Sequence, residues 1–201
     1  MGEDSIGLIP RGLRPPVFDI RMLREEPISD VLGLASNSFL TVICGPRGSG
    51  ASTIANLAIK REFFSKDTKC LWINLTDKTT LSKVYQRLIQ FIPEPDIEED
   101  YPERIVNWLE VNKCSLVLDG LNHRNITAIN PLISYGSRQA GPSHIIITSG
   151  MKISGKNTFT IPPLKLSEAI DYFESEQVEY NSYAVSLAFN LLEIWPRTIL
   201  G

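Results

Sequence analysis

Cysteine, histidine, basic excess and long apolar runs are all scarce in this chain, and each scarcity removes a class of function. The three cysteines, Cys44, Cys70 and Cys114, stand far apart with no CxxC spacing, so no disulfide framework or thiolate zinc site is expected. Each lies at the edge of an expected strand, where a buried free thiol is the simplest reading. His123 and His144 are the only histidines, too few for a histidine-based metal centre. No apolar run approaches the roughly 20 residues of a membrane span, and the N-terminus is too polar for a secretory signal. Met1-Gly2 opens like a myristoylation signal, but Ile6 stands where Ser or Thr is required. Lysine and arginine number 20 against 23 acidic residues, a net charge of −3 that provides no basic footprint for nucleic acid. A cytoplasmic setting, with no nucleic-acid and no membrane partner, is the resulting expectation.

What is present reads as alternating strands and helices. With 201 residues, 43% of them hydrophobic, the chain can bury one full α/β core and a small appendage. Residues 1–16, with Pro10, Pro15 and Pro16, read as an extended leader, and a short amphipathic helix is expected over about 22–34. Strands are expected at 39–44, 71–75, 114–119, 144–148 and, briefly, 159–161. Between them, Leu81, Val84, Tyr85, Leu88, Ile89 and Ile92 recur at helical spacing. Ile105, Val106, Trp108 and Leu109 mark a second helix, and a third is expected near 124–138. The acidic stretch 93–102 reads as a solvated linker. Continuous apolar strands alternating with helices imply a parallel sheet covered on both faces. After Pro162-Pro163 the pattern turns helical, with Ser167 as a plausible N-cap and a further helix over 180–194. The run Thr198-Ile199-Leu200 breaks off at Gly201, which suggests a piece of a longer protein.

The chemistry concentrates in Gly45-Pro46-Arg47-Gly48-Ser49-Gly50-Ala51-Ser52-Thr53, between an apolar strand and a helix. It fits the phosphate-binding pattern G-x-x-x-x-G-K-[ST] everywhere except at the lysine, which is Ala51. Such a loop grips phosphate mainly through backbone N–H groups and the helix N-terminus. Gly45, Gly48 and Gly50 are expected to supply the permissive dihedrals. The missing ammonium weakens the grip on the β/γ-phosphates without abolishing it; a charged hydrogen bond is worth roughly 1.5–3 kcal/mol. Ser52 is placed to hold Mg²⁺ through its hydroxyl, and Asp119, at a strand end, is the matching carboxylate. Gly120 follows Asp119 where a second acid would orient water, and glycine cannot do so. Arg47 either points toward phosphate or is a surface arginine on a turn. Asn74 and Asn125 open formal glycosylation sequons without meaning in a cytoplasmic strand and helix.

Taken in order, these motifs resemble the NB-ARC nucleotide-binding domains of STAND signalling NTPases, shared by apoptosome scaffolds and plant immune receptors. Ser115-Leu116-Val117-Leu118-Asp119-Gly120 is similar to the family's Walker B strand, and residues 144–150 to its sensor strand. Pro163 to Phe173 is similar to the junction into a helical subdomain. The resemblance implies that the segment Val17–Arg21, with Phe18 and Arg21, contacts adenine, and that Pro196 abuts it. Departures fall on the chemistry: Ala51 replaces lysine, Gly120 the second acid, Gly150 the sensor arginine, and Ile194 a glycine.

The expected fold is therefore a three-layer α/β P-loop NTPase over 17–163, with a leader at 1–16 and a partial helical subdomain at 164–201. The expected function is a catalytically impaired module of an apoptotic or innate-immune scaffold, with no catalytic residue. It would bind ADP, ATP or dATP through Phe18, Arg21, residues 45–53 and Pro196, with Mg²⁺ on Ser52 and Asp119. Self-association and flanking signalling domains are its expected partners. Two alternatives stand beside this reading: a scaffold with an empty cleft acting only through protein contacts, and an AAA+ relative with a loop similar to those of origin-recognition ATPases.

Overall fold

A computed structural model describes Pro16 and residues 24–63, 69–88, 101–112, 114–140, 145–153, 155 and 157–175. In chain order the elements are α1 (Glu25–Ala35), β1 (Leu40–Cys44), α2 (Ala51–Ala58), β2 (Lys69–Asn74), α3 (Leu81–Leu88) and α4 (Tyr101–Val111). They continue with β3 (Cys114–Leu121), α5 (Ile126–Gly136), β4 (Ile145–Ser149), β5 (Thr158–Thr160) and α6 (Leu166–Ser175). A wider π-helical turn, Ile59–Phe63, prolongs α2.

All five strands run parallel in the order β2-β3-β4-β1-β5. Successive side chains of a strand point to opposite faces, and here both faces are apolar. Leu40, Val42 and Cys44 of β1, Leu116 and Leu118 of β3, and Ile145 and Ile147 of β4 join a core with α3, α4 and α5. The intervening Ile43, Val117 and Ile146 join a second core with Ile28 and Val31 of α1 and Ile54, Ala55 and Ala58 of α2. Trp72 in β2 heads the largest fully buried side chains of this second core, and truncating such a residue to alanine costs about 3–5 kcal/mol. The result is the three-layer α/β arrangement that the alternation of elements implies.

Several local expectations need correction. The helix after the loop, expected to bury Ile54, Leu57 and Ala58, buries Ala55 with Ile54 and Ala58 and leaves Leu57 only partly covered. β3 runs two residues past Asp119, because its register with β4 shifts between Leu118 and Leu121. Ser167 does not cap α6: the helix already includes it, starting at Leu166. Glu168 closes that terminus instead, its Oε2 accepting the Lys165 N–H at 2.6 Å, the backbone-directed half of a capping box. Asn125 precedes α5 rather than lying in it, and its buried amide donates to the carbonyls of Thr76 and Gly120.

Cys44, Cys70 and Cys114 are free and buried. Burial pushes the Cys70 thiol up to about 12 and raises that of Cys44, so both stay protonated and unreactive at neutral pH. Among the described residues no helix is long and apolar enough to cross a membrane.

Candidate functional site

In an open parallel sheet, ligands bind beyond the C-terminal ends of the strands where the chain order reverses. β1 is that position here, because α2 leaves it and the chain then crosses over β4 and β3 to reach β2. A cleft of about 590 Å³ opens at this edge, lined by residues 45–53, by Asp119 to Asn122 and by Thr148 to Gly150.

The loop is built around two left-handed glycines. Gly48 has φ of 92° and Gly50 of 89°, a backbone region that L side chains rarely adopt. Gly50 is the N-cap of α2, and the Ile54 N–H closes the first turn on its carbonyl at 2.8 Å. The N–H groups before Ile54 belong to the first turn, where an α-helix offers no internal acceptor. They and the positive helix terminus form a cradle for an oxyanion. Gly45 differs from expectation. Its φ is not left-handed, and glycine is required there by space. A Cβ at Gly45 would lie 2.3 Å from Ser49 Oγ and 3.2 Å from Ile161 Cδ1.

Below the loop sits a carboxylate held by two hydroxyls. Ser52 Oγ donates to Asp119 Oδ1 at 2.7 Å, and Thr148 Oγ1 donates to the same oxygen. Thr148 Oγ1 in turn accepts the Gly120 N–H at 2.9 Å. Three separate strand or helix ends, those of α2, β3 and β4, thus converge on one carboxylate. A hydroxyl and a carboxylate within hydrogen-bond distance, beside a phosphate cradle, are the hard oxygen donors that suit Mg²⁺. Among the described residues, Arg47 is the one cationic residue lining the cleft, and it is exposed. Ser49 Oγ is buried without a hydrogen-bond partner among the described residues.

This cradle, reached from a parallel sheet and facing an acid two strands away, decides the fold. It is that of a P-loop NTPase. No family model matches the chain, and no curated protein matches it in sequence. Solved structures do. A signal transduction ATPase with numerous domains (STAND) carrying a tetratricopeptide repeat sensor, from Pyrococcus horikoshii, superposes with a TM-score of 0.65 at 15% identity, covering 90% of this chain and 29% of that one. The Walker-type ATPase of Pyrococcus abyssi gives a TM-score of 0.53 at 14% identity, covering 93% of this chain and 67% of that one. The chain therefore spans less than a third of the STAND protein's length.

Within this P-loop NTPase fold, the nine loop residues, Ser52 among them, and Asp119 come together in one cleft. Phe18, Arg21 and Pro196, and the helix expected over 180–194, lie outside the described residues. Thr148 was missed as a site residue. Its signal was a strand ending in Thr-Ser-Gly, but only the insertion of β4 between β1 and β3 brings it to Asp119. Two glycines lining the cleft, Gly120 and Gly150, differ physically. Gly150 is exposed, and a Cβ there would meet nothing within 4 Å. Gly120 has φ of 98°, and a Cβ would approach the Leu75 carbonyl to 3.3 Å. An acid at 120 would be strained in this backbone.

Proposed function

We propose that the cleft binds an adenine nucleotide (ADP, ATP or dATP) and that the chain is a nucleotide-binding and self-associating module of a signalling scaffold. One observation carries the reading: a helix N-terminus and two left-handed glycines face a Ser52–Asp119–Thr148 cluster in one cleft. Phosphate oxygens would sit on the first-turn N–H groups of α2. Ser52 and Asp119 would hold Mg²⁺, whose charge offsets that of the phosphates when it is bound. Phe18, Arg21 and Pro196 would frame the base, and residues 164–201 would be the start of a helical subdomain closing over it.

Hydrolysis is proposed to be negligible. Phosphoryl transfer depends on placed charge and an oriented nucleophile. Ala51 brings no ammonium, Gly120 no water-orienting acid and Gly150 no cation. Nucleotide then acts by occupancy, favouring whichever arrangement of sheet and helical segment binds it better. The similarity to a protein named for signal transduction supports a scaffold role, and we place it in apoptotic or innate-immune signalling with flanking effector domains.

The test is a thermal-shift titration with ADP, ATP and dATP, with and without Mg²⁺. The expected outcome is stabilisation that Ser52→Ala reduces, with no ATP turnover above background. Turnover at ordinary P-loop ATPase rates that Asp119→Ala removes would end the impaired reading. The sparse positive charge of the cleft favours a second reading, an empty scaffold, which predicts no shift even at millimolar nucleotide.

A further inference from the structure

Arg24 is a buried arginine, 7% exposed, at the N-cap of α1. Its guanidinium holds a single short stretch of chain 138 to 144 residues away. Nη1 donates to the Pro162 carbonyl at 3.0 Å, and Nη2 to the Pro163 carbonyl at 3.1 Å. Nε and Nη2 donate to the two carboxylate oxygens of Glu168, at 3.2 and 3.4 Å. A planar fork is the one side chain that can engage two successive carbonyls and a carboxylate together. Glu168 is the residue that also closes the N-terminus of α6 through the Lys165 N–H. Lys165 itself pairs with Glu26 of α1. Among the described residues, the links from Arg24 and from Glu26 of α1 thus converge on the entry to α6.

Both ends of this clasp lead back to the phosphate-binding loop. Ile161, adjacent to Pro162, donates its N–H to the Cys44 carbonyl at 2.8 Å and packs over Gly45 at the start of the loop. Behind the sheet, α1 packs on α2, the helix whose N-terminus completes the loop, through Ile28, Val31, Ala55 and Ala58. Glu25 and Arg61, at 2.6 Å for one contact, fasten the two helices at the surface. Pro162 and Pro163 have no N–H to donate, so their carbonyls are the polar backbone groups through which this connection can be held.

We infer that Arg24 is the coupling residue of the molecule: it transmits occupancy of the loop to α6 by holding Pro162, Pro163 and Glu168. This inference rests on the nucleotide reading of the cleft. A shift of the loop on binding an anion moves Ile161 from one side and α2 from the other. Arg24 ties both movements to the same turn of α6. Without the fork, the loop can fill while α6 no longer responds.

Hydrogen exchange read by mass spectrometry on the whole chain tests this, with saturating ADP and Mg²⁺ as the probe. In the unaltered protein ADP is expected to slow exchange both in residues 45–53 and in 162–175. In Arg24→Met the slowing at 45–53 persists and that at 162–175 disappears. Glu168→Ala, whose side chain is only partly buried, is expected to behave the same way and carries the test if Arg24→Met does not fold. Unchanged slowing at 162–175 in the folded variants overturns the coupling alone. Absence of any slowing at 45–53 in the unaltered protein overturns the nucleotide reading and the coupling with it.

Discussion

The two halves of the cleft have fared differently. On the side that would grip an anion, the backbone geometry is complete: Gly48 and Gly50 are left-handed, α2 starts at the loop, and Ser52 meets Asp119. On the side that would cleave it, Ala51, Gly120 and Gly150 present no charge. Gripping is the work of main-chain N–H groups, which no side-chain substitution removes unless it disturbs the dihedrals. Cleavage depends on individual side chains, each of which a single change deletes. The comparison also separates the two glycines. Gly150 faces open space, whereas Gly120 is built into the bulge that carries β3 past Asp119.

The largest expected effect breaks the gripping half. Gly48→Val forces a β-branched residue to φ near 92°, and the thermal shift produced by ADP should vanish. Retention of that shift would show that the loop backbone is not the anion site. Next, Ala51→Lys restores the missing ammonium. It should tighten ATP by roughly tenfold to a hundredfold, corresponding to about 1.5–3 kcal/mol, as measured by calorimetric titration. ATP turnover should stay at background, because nothing at 120 or 150 orients water or reads charge. Vigorous hydrolysis by Ala51→Lys alone would erase the distinction between the halves.

Smaller effects sharpen the difference between the glycines. Gly120→Ala should destabilise by about 1–2 kcal/mol, given the left-handed backbone. For a chain of this size the corresponding fall in Tm is roughly 2–8 °C. Gly150→Ala, free of strain and of neighbours, should stay within about 1 kcal/mol of the unaltered protein and lean toward stabilisation. Equal melting temperatures for the two variants would remove the physical contrast drawn here. The smallest effect concerns Cys70, whose thiol burial raises to about 12. Above the ordinary thiol value of 9.0 the unfolded chain loses a proton that the native state keeps. Its contribution to stability is therefore complete below that value and falls between about 9 and 12. Cys70→Ala should flatten that part of the pH–stability curve.

Much of the architecture was legible because it is written in local patterns. Leu116, Val117 and Leu118 form an unbroken apolar run ending in Asp119, as a strand buried on both faces must. Gly45, Gly50 and Ser52 announce the loop through spacing alone. What was misread turned on geometry that spacing does not encode. Gly45 looked like a dihedral requirement and is a requirement for space against Ser49 and Ile161. Ser167 looked like a cap, but Glu168 accepts the capping N–H instead. Nothing in the helical pattern expected over 22–34 marks Arg24, which is a buried fork holding the entry to α6.

Periodicity and glycine spacing determined the element types, the loop and the place of the acid, because each depends on residues within a few positions of one another. The tertiary structure alone decided that β4 lies between β1 and β3, since parallel strands joined by crossovers carry no local record of their order. That insertion sets Thr148 on Asp119, and chain closure over 144 residues sets Arg24 on Glu168. Contacts between residues so far apart are fixed by which faces must be buried together, which no short window of sequence contains.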